Sequence, residues 1–491
     1  MNLRPVDAPA VIPDNGRPAN GPVVMKFGGT SCEDAAALTR LARIVADRGP
    51  EHPVVVVSAM AKVTDSLVEL ARLALAGDIA TADAVIARLR ERHLTALREL
   101  AGEALPAALA EAEAAVHGLL QDLSELVRGI AAVGELTDRT RDAMLSFGER
   151  LSPWLARLAL ESAGLRAQIV DARHVIVTDA QHTHAQPLYP ESQRHADERL
   201  VPLIAAGVIP VLGGFIAATS QGVTSTFGRG GSDFSGAILG ALLGARRIEI
   251  WTDVDGMLTA DPRVCDGVRR IKVISFQEAA ESAYFGAKVL HPSTLLPAME
   301  KSIPVWVLNS RADMKILSGP PDGQLTGTLI TTRAPRTRSP IKCISCKRKI
   351  AVIDVVSTRM LQAHGFLQAI WDVFARYECP VDMVSTSEVS VSLTVSDTRS
   401  LVEIVDELGR FAEVRYEGRK AIICLVGESL RNTPGVAAKV FSAMGDINLR
   451  MISQGASEIN IGMVIEDDDV PRAMRQLHDR FLVDLDPAVF A

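Results

Sequence analysis

The sequence predicts an α/β protein: a mainly parallel, doubly wound sheet with helices on both faces, followed by a pair of small α+β sandwiches. Three observations carry this. A pattern of strand, glycine turn, helix and strand runs from Val23 to Val57, strand-like and helical segments alternate again after a long helical stretch, and the last third of the 491-residue chain repeats itself. Alternating strands and helices build a parallel sheet covered on both faces, whereas strand-rich units with segregated helices build α+β layers.

The first element pair is VVMKF and PVVVVSAM, separated by GGTS and the periodic EDAAALTRLARIVADRG. The second strand is apolar throughout, as strands buried on both faces are. Residues 65–150 are rich in Ala, Leu, Glu and Arg, and SLVELARLAL and DAVIARLRERHLTALREL place apolar residues at helical spacing, so a helical layer is expected there. Alternation resumes with LRAQIVDA, GVIPVLGGF and RRIEIWTDVDG, interleaved with helical stretches such as GAILGALLG. One α/β domain is thus expected over 22–310, ending in a Pro, Gly, Thr and Arg-rich linker over 311–339. Beyond it, Gly365 and Gly435 each open an apolar-periodic helix, and SEVSVSL at Ser387 echoes SEINIGM at Ser457. Both pairs are 70 residues apart, and VDMVS (381–385) resembles LRMIS (449–453) between them. Each copy runs strand, helix, two strands, helix.

Composition narrows the function. A net charge of −7 lacks the diffuse basic footprint of a nucleic-acid binder, so the partner is expected to be a small molecule. No apolar run approaches the ~18 residues of a membrane span. The first twenty-odd residues lack the apolar segment of a secretory signal, read as a disordered tail over 1–21, and leave a cytoplasmic protein as the expectation. Among six cysteines, Cys343 and Cys346 form one C-x-x-C within IKCISCKRKIAVIDVV. That stretch reads as two strands around a Lys-Arg-Lys turn, which sets the two thiols ~10 Å apart on opposite faces. With no second pair to complete a four-ligand cage, they are read as structural.

The usual nucleotide signatures, G-x-x-x-x-G-K-[ST], G-x-G-x-x-G after a strand, H-R-D and D-F-G, are absent. Three glycine-bearing stretches stand in their place. MKFGGTS puts Lys26 at a strand end with Gly28, Gly29, Thr30 and Ser31 before a helix start, where free amides favour an anion. SAMAKVTD offers the hydroxyls of Ser58 and Thr64, and TFGRGGSD opens another helix with Gly230, Gly231 and Ser232. Each alone is also what an ordinary capped turn looks like. TFGRGGSD raises a sharper point, because Arg229 and Asp233 flank bare glycines. A phosphate calls for the arginine and the amides but not for the aspartate. WTDVDGMLTADPR follows a strand and suits a ligand crevice, and FGAKVLHP supplies Lys288 and His291 near a helix end.

KFGGTS, SFGERLS, GRGGSD, WTDVDG, TADPR and FGAKVLHP occur in this order, and together they resemble the amino-acid kinase fold, specifically the aspartate kinase (aspartokinase) family. The repeat resembles the two ferredoxin-like ACT domains that follow its catalytic domain. The resemblance implies transfer of the γ-phosphoryl of ATP to the β-carboxylate of L-aspartate, the first step toward lysine, threonine and methionine. An acceptor with an α-carboxylate and an α-ammonium requires both signs: Arg229 would fork onto the carboxylate, and Glu149 and Asp233 would take the ammonium. The acceptor carboxylate is already ionised at neutral pH, so no general base is needed. Lys26, Arg229 and Asp233 are the expected catalytic set, with Lys26 neutralising the migrating phosphoryl. Ser58 and Thr64 join the aspartate site. Gly28, Gly29, Thr30, Gly230, Gly231, Ser232, Thr252, Asp253, Leu258, Arg263 and Lys288 match family positions around the nucleotide, with leucine at 258 where many members carry an aromatic. Mg2+ would ride on the phosphates rather than in a metal site of the protein's own.

The family also implies one ACT domain over 349–418 and a second, built around it, from 340–348 and 419–491, with IKCISCKR as its opening strand. Met360, Gly365, Phe366, Leu367, Val381, Asp382, Ser387 and Glu388 match the effector-binding stretch of the lysine-inhibited branch. Asp382 or Glu388 would meet an effector ammonium, and amides near Gly365 its carboxylate. Ala363 stands where lysine-responsive members usually place a hydroxyl, so lysine is the first candidate and effector identity stays open. A homodimer or larger homo-oligomer through the ACT domains is expected. Two rivals are a kinase acting on glutamate or its derivatives, and a silent amino-acid sensor; Arg229, Asp233 and Glu149 together weigh against the first, and Lys26, Arg229 and Asp233 against the second.

Overall fold

The computed structural model describes residues 21–287, 290–312, 325–335, 337, 339–357, 365–483 and 485–491. It divides into two compact units, Met1–Gly256 with Leu290–Arg333, and Met257–Val289 with Ala334–Ala491. Apart from residue 21, the expected tail lies outside the described residues.

The first unit holds β1 (Val23–Phe27), β2 (Pro53–Val57), β3 (Ala167–Ile169), β4 (Val177–Thr178), β5 (Ile209–Gly213), β6 (Ile216–Thr219), β7 (Thr224–Thr226) and β8 (Arg247–Thr252). After β9 (Val273–Ser275), which belongs to the second unit, come β10 (Val305–Asn309) and β11 (Gly327–Thr331). Its main sheet runs β3-β5-β2-β1-β8-β10-β11. Every pair is parallel except β10 with β11. The segment read as linker over 311–339 therefore contains a strand, β11, in which Thr328 pairs with Val307. β1 and β2 are buried at all their positions, as their unbroken apolar runs require.

Helices flank this sheet: α1 (Ala35–Ala46), α2 (Val63–Leu75), α3 (Ile79–Ala101), α4 (Pro106–Val133), α5 (Asp138–Leu145), α6 (Phe147–Ser162), α7 (Tyr189–Arg199), α8 (Val201–Ala205) and α9 (Gly231–Leu242). Asp34 caps α1 through the Ala37 amide at 2.7 Å, which sets its start four residues beyond Ser31. The layer expected over 65–150 is formed by α2 to α6 and runs on to Ser162. Leu67, Leu70, Leu97, Leu120, Leu151 and Leu155 interlock there without solvent exposure, in one core with β1 and β2.

The second unit carries α10 (Phe276–Tyr284) and a six-stranded antiparallel sheet. Its strands are β12 (Ile341–Val356), β13 (Val381–Thr386), β14 (Ser390–Val395), β15 (Glu413–Gly427), β16 (Met451–Gln454) and β17 (Asn460–Glu466), in the order β13-β14-β12-β15-β17-β16. IKCISCKRKIAVIDVV is thus one continuous strand, not two around a turn. The charged Lys-Arg-Lys stretch is a bulge in which Lys349 takes φ 61°, held where Arg348 forks onto Asp467 (3.0 and 2.6 Å). All six cysteines are free thiols, and burial pushes Cys343 up to about 12.

β15 is long in the same way, with Arg419 at φ 56° between its halves. Residues 351–356 pair with β14 and 352–356 with 413–417, while the stretch from 341 to 350 pairs with 420–427. The helices Phe366–Arg376 and Val436–Met444 start after Gly365 and Gly435, as the repeat predicted. IKCISCKR takes the place in the second copy that 413–417 takes in the first. It is a closing strand rather than the opening one, because the antiparallel ladder with 420–427 fixes its direction.

Candidate active site

A cavity of about 450 Å³ opens in the first unit where the carboxyl ends of β1 and β2 meet the start of α9. Lys26, Gly29, Ser58, Thr64, Glu149, Arg229, Gly230, Gly231, Ser232 and Asp233 all line it. The five residues expected around the acceptor, Ser58, Thr64, Glu149, Arg229 and Asp233, thus share one space. Ligand crevices at the carboxyl ends of parallel strands follow from the sheet's topology.

Lys26 is nearly buried, and its Nζ lies 2.5 Å from Asp233 Oδ1. In the empty cavity the two are each other's counter-ion, so a dry ammonium is held without a stranded charge. Gly230, at φ 75°, brings the loop onto α9; a Cβ there would stand 2.6 Å from that of His291. The left-handed conformation and the close approach together demand glycine. His291 is held below its usual range, mainly by burial and then by the neighbouring Arg229 guanidinium. Arg229 itself is exposed.

Glu149 projects from the first turn of α6. It is 4% exposed, its Oε1 accepts the Ala59 amide at 3.1 Å, and its Oε2 has no partner among the described residues. Burial raises its carboxyl to about 8, against the opposing pull of the Ala59 amide and Lys26. Such a group is ready to take a charged hydrogen-bond donor. Gly213 fixes its place: a Cβ at 213 would lie 2.0 Å from the Glu149 carbonyl oxygen.

Some expected contacts are spent inside the loops. The Gly28 amide donates to Trp251 O (2.9 Å) and the Gly231 amide to Gly228 O (3.1 Å), so neither is free for an anion. The Ser31 hydroxyl is buried against Ser310 Oγ at 2.7 Å. Gly28 and Thr30 flank the lining residue Gly29 without lining the cavity themselves. Thr252 and Asp253 sit at the end of β8, joined by a 3.2 Å hydrogen bond from Thr252 Oγ1. Leu258 and Arg263 belong to the second unit, where Arg263 forks onto Asp261 (3.0 and 2.6 Å). Lys288 lies outside the described residues.

Several residues escaped the sequence reading. Phe215 lines the cavity at φ 65° and Lys62 at φ 67°, two strained non-glycine residues of the kind that functional sites keep. The Phe215 amide donates to Ser235 Oγ at 2.9 Å, which holds the strained turn. Asp142, fully buried, accepts from Thr226 Oγ1 (2.6 Å), His182 Nδ1 (2.9 Å) and the Thr183 amide (3.0 Å), tying the start of the TFGRGGSD loop to α5.

In the second unit, Met360 lies outside the described residues, and Gly365 precedes its helix with Phe366 packed edge-on against Phe411 (5.8 Å). Leu367, Ser387 and Glu388 are exposed, and Val381 begins β13. Asp382 already holds a cation on one oxygen, while its Oδ2 has no hydrogen-bond partner among the described residues. Its side chain is 1% exposed, and its Oδ1 already accepts Lys347 Nζ (2.6 Å) and the Tyr284 hydroxyl (3.0 Å).

Residues 21–309 match the amino acid kinase family, and 423–481 an ACT domain. The chain is 35% identical to aspartokinase 3, chloroplastic, of Arabidopsis thaliana over 93% of its length and 81% of that protein. It is 34% identical to lysine-sensitive aspartokinase 3 of Escherichia coli (strain K12) over 93% and 98%. Its fold matches the crystal structure of E. coli aspartokinase III in complex with aspartate and ADP (R-state) with a TM-score of 0.80, at 33% identity, over 94% of this chain and all of that one. The lysine and aspartate complex of the same enzyme (T-state) matches with a TM-score of 0.75. Matched to the family over residues 21–309 and to curated aspartokinases over nearly its whole length, this chain belongs to the amino acid kinase family, among the aspartokinases.

Proposed function

We propose that the protein is an aspartate kinase that transfers the γ-phosphoryl group of ATP to the β-carboxylate of L-aspartate, giving ADP and 4-phospho-L-aspartate. The observation that carries this reading is the cavity itself, which gathers one exposed guanidinium, Arg229, two carboxylates, Glu149 and Asp233, and one buried ammonium, Lys26. Arg229 takes the α-carboxylate of aspartate as a fork, and Glu149 and Asp233 take its α-ammonium. The β-carboxylate, ionised at neutral pH, attacks the γ-phosphorus while the bond to the β,γ-bridging oxygen breaks, so no proton has to be removed first.

Like charges approach one another in that step, and positioning with charge neutralisation does the catalysis. Lys26, drawn off Asp233 when the acceptor's ammonium arrives, turns its Nζ to the phosphoryl group; a preorganised donor of this kind contributes ~10²–10³ in rate. Ser58 and Thr64 orient the acceptor, and the backbone around Gly29, Gly230 and Ser232 accommodates the phosphates. Mg2+ would be carried into this site on the phosphates of ATP. It would supply charge neutralisation between the β- and γ-phosphates.

Regulation is assigned to the second unit, with an amino acid acting at the ACT repeat. Lysine is the first candidate, since the T-state structure of E. coli aspartokinase III holds it. A homo-oligomer paired through those domains would complete the assembly. Among the described residues no helix is long and apolar enough to cross a membrane. The test is ATP-dependent hydroxamate formation with aspartate and with glutamate as acceptors. Turnover with aspartate and little with glutamate is expected; the reverse preference would overturn the assignment.

A further inference from the structure

A second cavity, of about 620 Å³, lies behind Glu149, which lines both. Its size falls within the ~300–1,000 Å³ of small-molecule sites. One wall is apolar, built from Leu119, Pro153, Trp154 and Ile216. Three guanidinium groups also line it, that of Arg157 lying over the Trp154 ring at 5.5 Å. Two are matched: Arg157 pairs with Glu111 (2.5 Å) and Glu161 (3.0 Å), and Arg173 forks onto Asp171 (3.0 and 2.6 Å). Arg150 is different. It lies over the Phe147 ring at 4.5 Å, its nearest carboxylate is Asp122 at 3.8 Å, and among the described residues no hydrogen-bond acceptor holds it. Burial and the neighbouring Arg173 both work against its charge, which an anion would relieve.

We propose that this cavity is a binding site for a small monocarboxylate with an apolar body, the carboxylate on Arg150 and the body against Trp154 and Pro153. A guanidinium with no hydrogen-bonded acceptor, its ion pair reaching only the exposed Asp122 at 3.8 Å, has its fork free for one carboxylate, and the apolar wall would be left unused by a bare inorganic anion. The site couples to the active site through Glu149. An anion beside that residue disfavours its carboxylate form, so the monocarboxylate and aspartate weaken each other's binding, by the same factor in both directions. This coupling rests on Glu149 holding the aspartate ammonium; the binding itself does not.

The probe is 3-phenylpropanoate, titrated by calorimetry into the full chain without aspartate, so that a failure of the binding site is separable from a failure of the aspartate assignment. Saturable binding to one site per chain is expected, with a Kd on the order of 1 mM. Arg150→Gln should weaken it about tenfold or more, as losing a charge-assisted hydrogen bond does. Ala115→Trp, which fills the cavity and leaves Arg150 in place, should weaken it likewise, with both variants retaining turnover of aspartate. The neutral 3-phenylpropanamide should bind at least about tenfold more weakly than the acid. The proposal is overturned if the wild type shows no saturable binding, if both variants bind the acid unchanged, if the amide binds as well as the acid, or if inorganic phosphate binds Arg150 as tightly.

Discussion

Glu149→Gln is the most informative substitution, because it keeps the shape and the Ala59 hydrogen bond while removing the charge. Burial places the wild-type carboxyl at about 8, so at pH 7 roughly a tenth of empty sites carry the carboxylate that the aspartate ammonium needs. Binding at pH 7 then includes about 1.4 kcal/mol for ionising the group, and this cost vanishes above its pKa. The aspartate KM of the wild type should fall roughly tenfold from pH 7 to 8.5, while that for ATP stays level. In the glutamine variant the aspartate KM should be higher by about 10- to 100-fold, the loss of a buried charge-assisted hydrogen bond, and flat across the same window. Stability moves the other way. A carboxyl raised from 4.5 to about 8 favours the folded state fully below 4.5, and that contribution is lost as pH rises toward 8. Ligand-free wild type should therefore lose thermal stability over that range more steeply than the variant. Initial-rate kinetics against pH decide the matter: an unchanged aspartate KM in Glu149→Gln, or a pH dependence that survives it, refutes the reasoning.

Lys26→Ala should lower kcat by ~10²–10³ with a much smaller change in aspartate binding measured by calorimetry; unchanged turnover would remove Lys26 from the chemistry. Arg229→Ala should raise the aspartate KM far more than the ATP KM, and equal effects on both would count against a pocket for the α-carboxylate. Gly213→Ala drives a methyl to 2.0 Å from the Glu149 carbonyl oxygen, so thermal unfolding should show a loss of about 1–3 kcal/mol, and a variant as stable as wild type would contradict the packing described here.

Much of the site was legible because it is built from strand ends and helix starts, whose residue patterns are local. MKFGGTS and TFGRGGSD each announced a turn and a charged residue, SFGERLS entered through the family resemblance, and Lys26, Glu149, Arg229 and Asp233 do converge on one cavity. What the sequence hid are choices made by tertiary contact. Phe215 adopts φ 65° because Ser235, twenty residues later, holds its amide. Asp382 looked available to an effector, yet Lys347 occupies it across 35 residues of chain. The strand Gly327–Thr331 was hidden in a Pro and Gly-rich stretch, because its five residues are held by pairing with β10, distant in sequence, rather than by a local pattern. IKCISCKRKIAVIDVV read as two strands since a charged triplet resembles a turn, whereas a bulge with a left-handed Lys349 keeps it one.

The account turns on where aspartate lies. A crystal structure with L-aspartate and a non-hydrolysable ATP analogue should place the α-carboxylate about 3 Å from the Arg229 guanidinium, the α-ammonium between Glu149 and Asp233, and the β-carboxylate facing the γ-phosphate beside Lys26. Aspartate bound outside this cavity, or turned so that its β-carboxylate sits on Arg229, would contradict it.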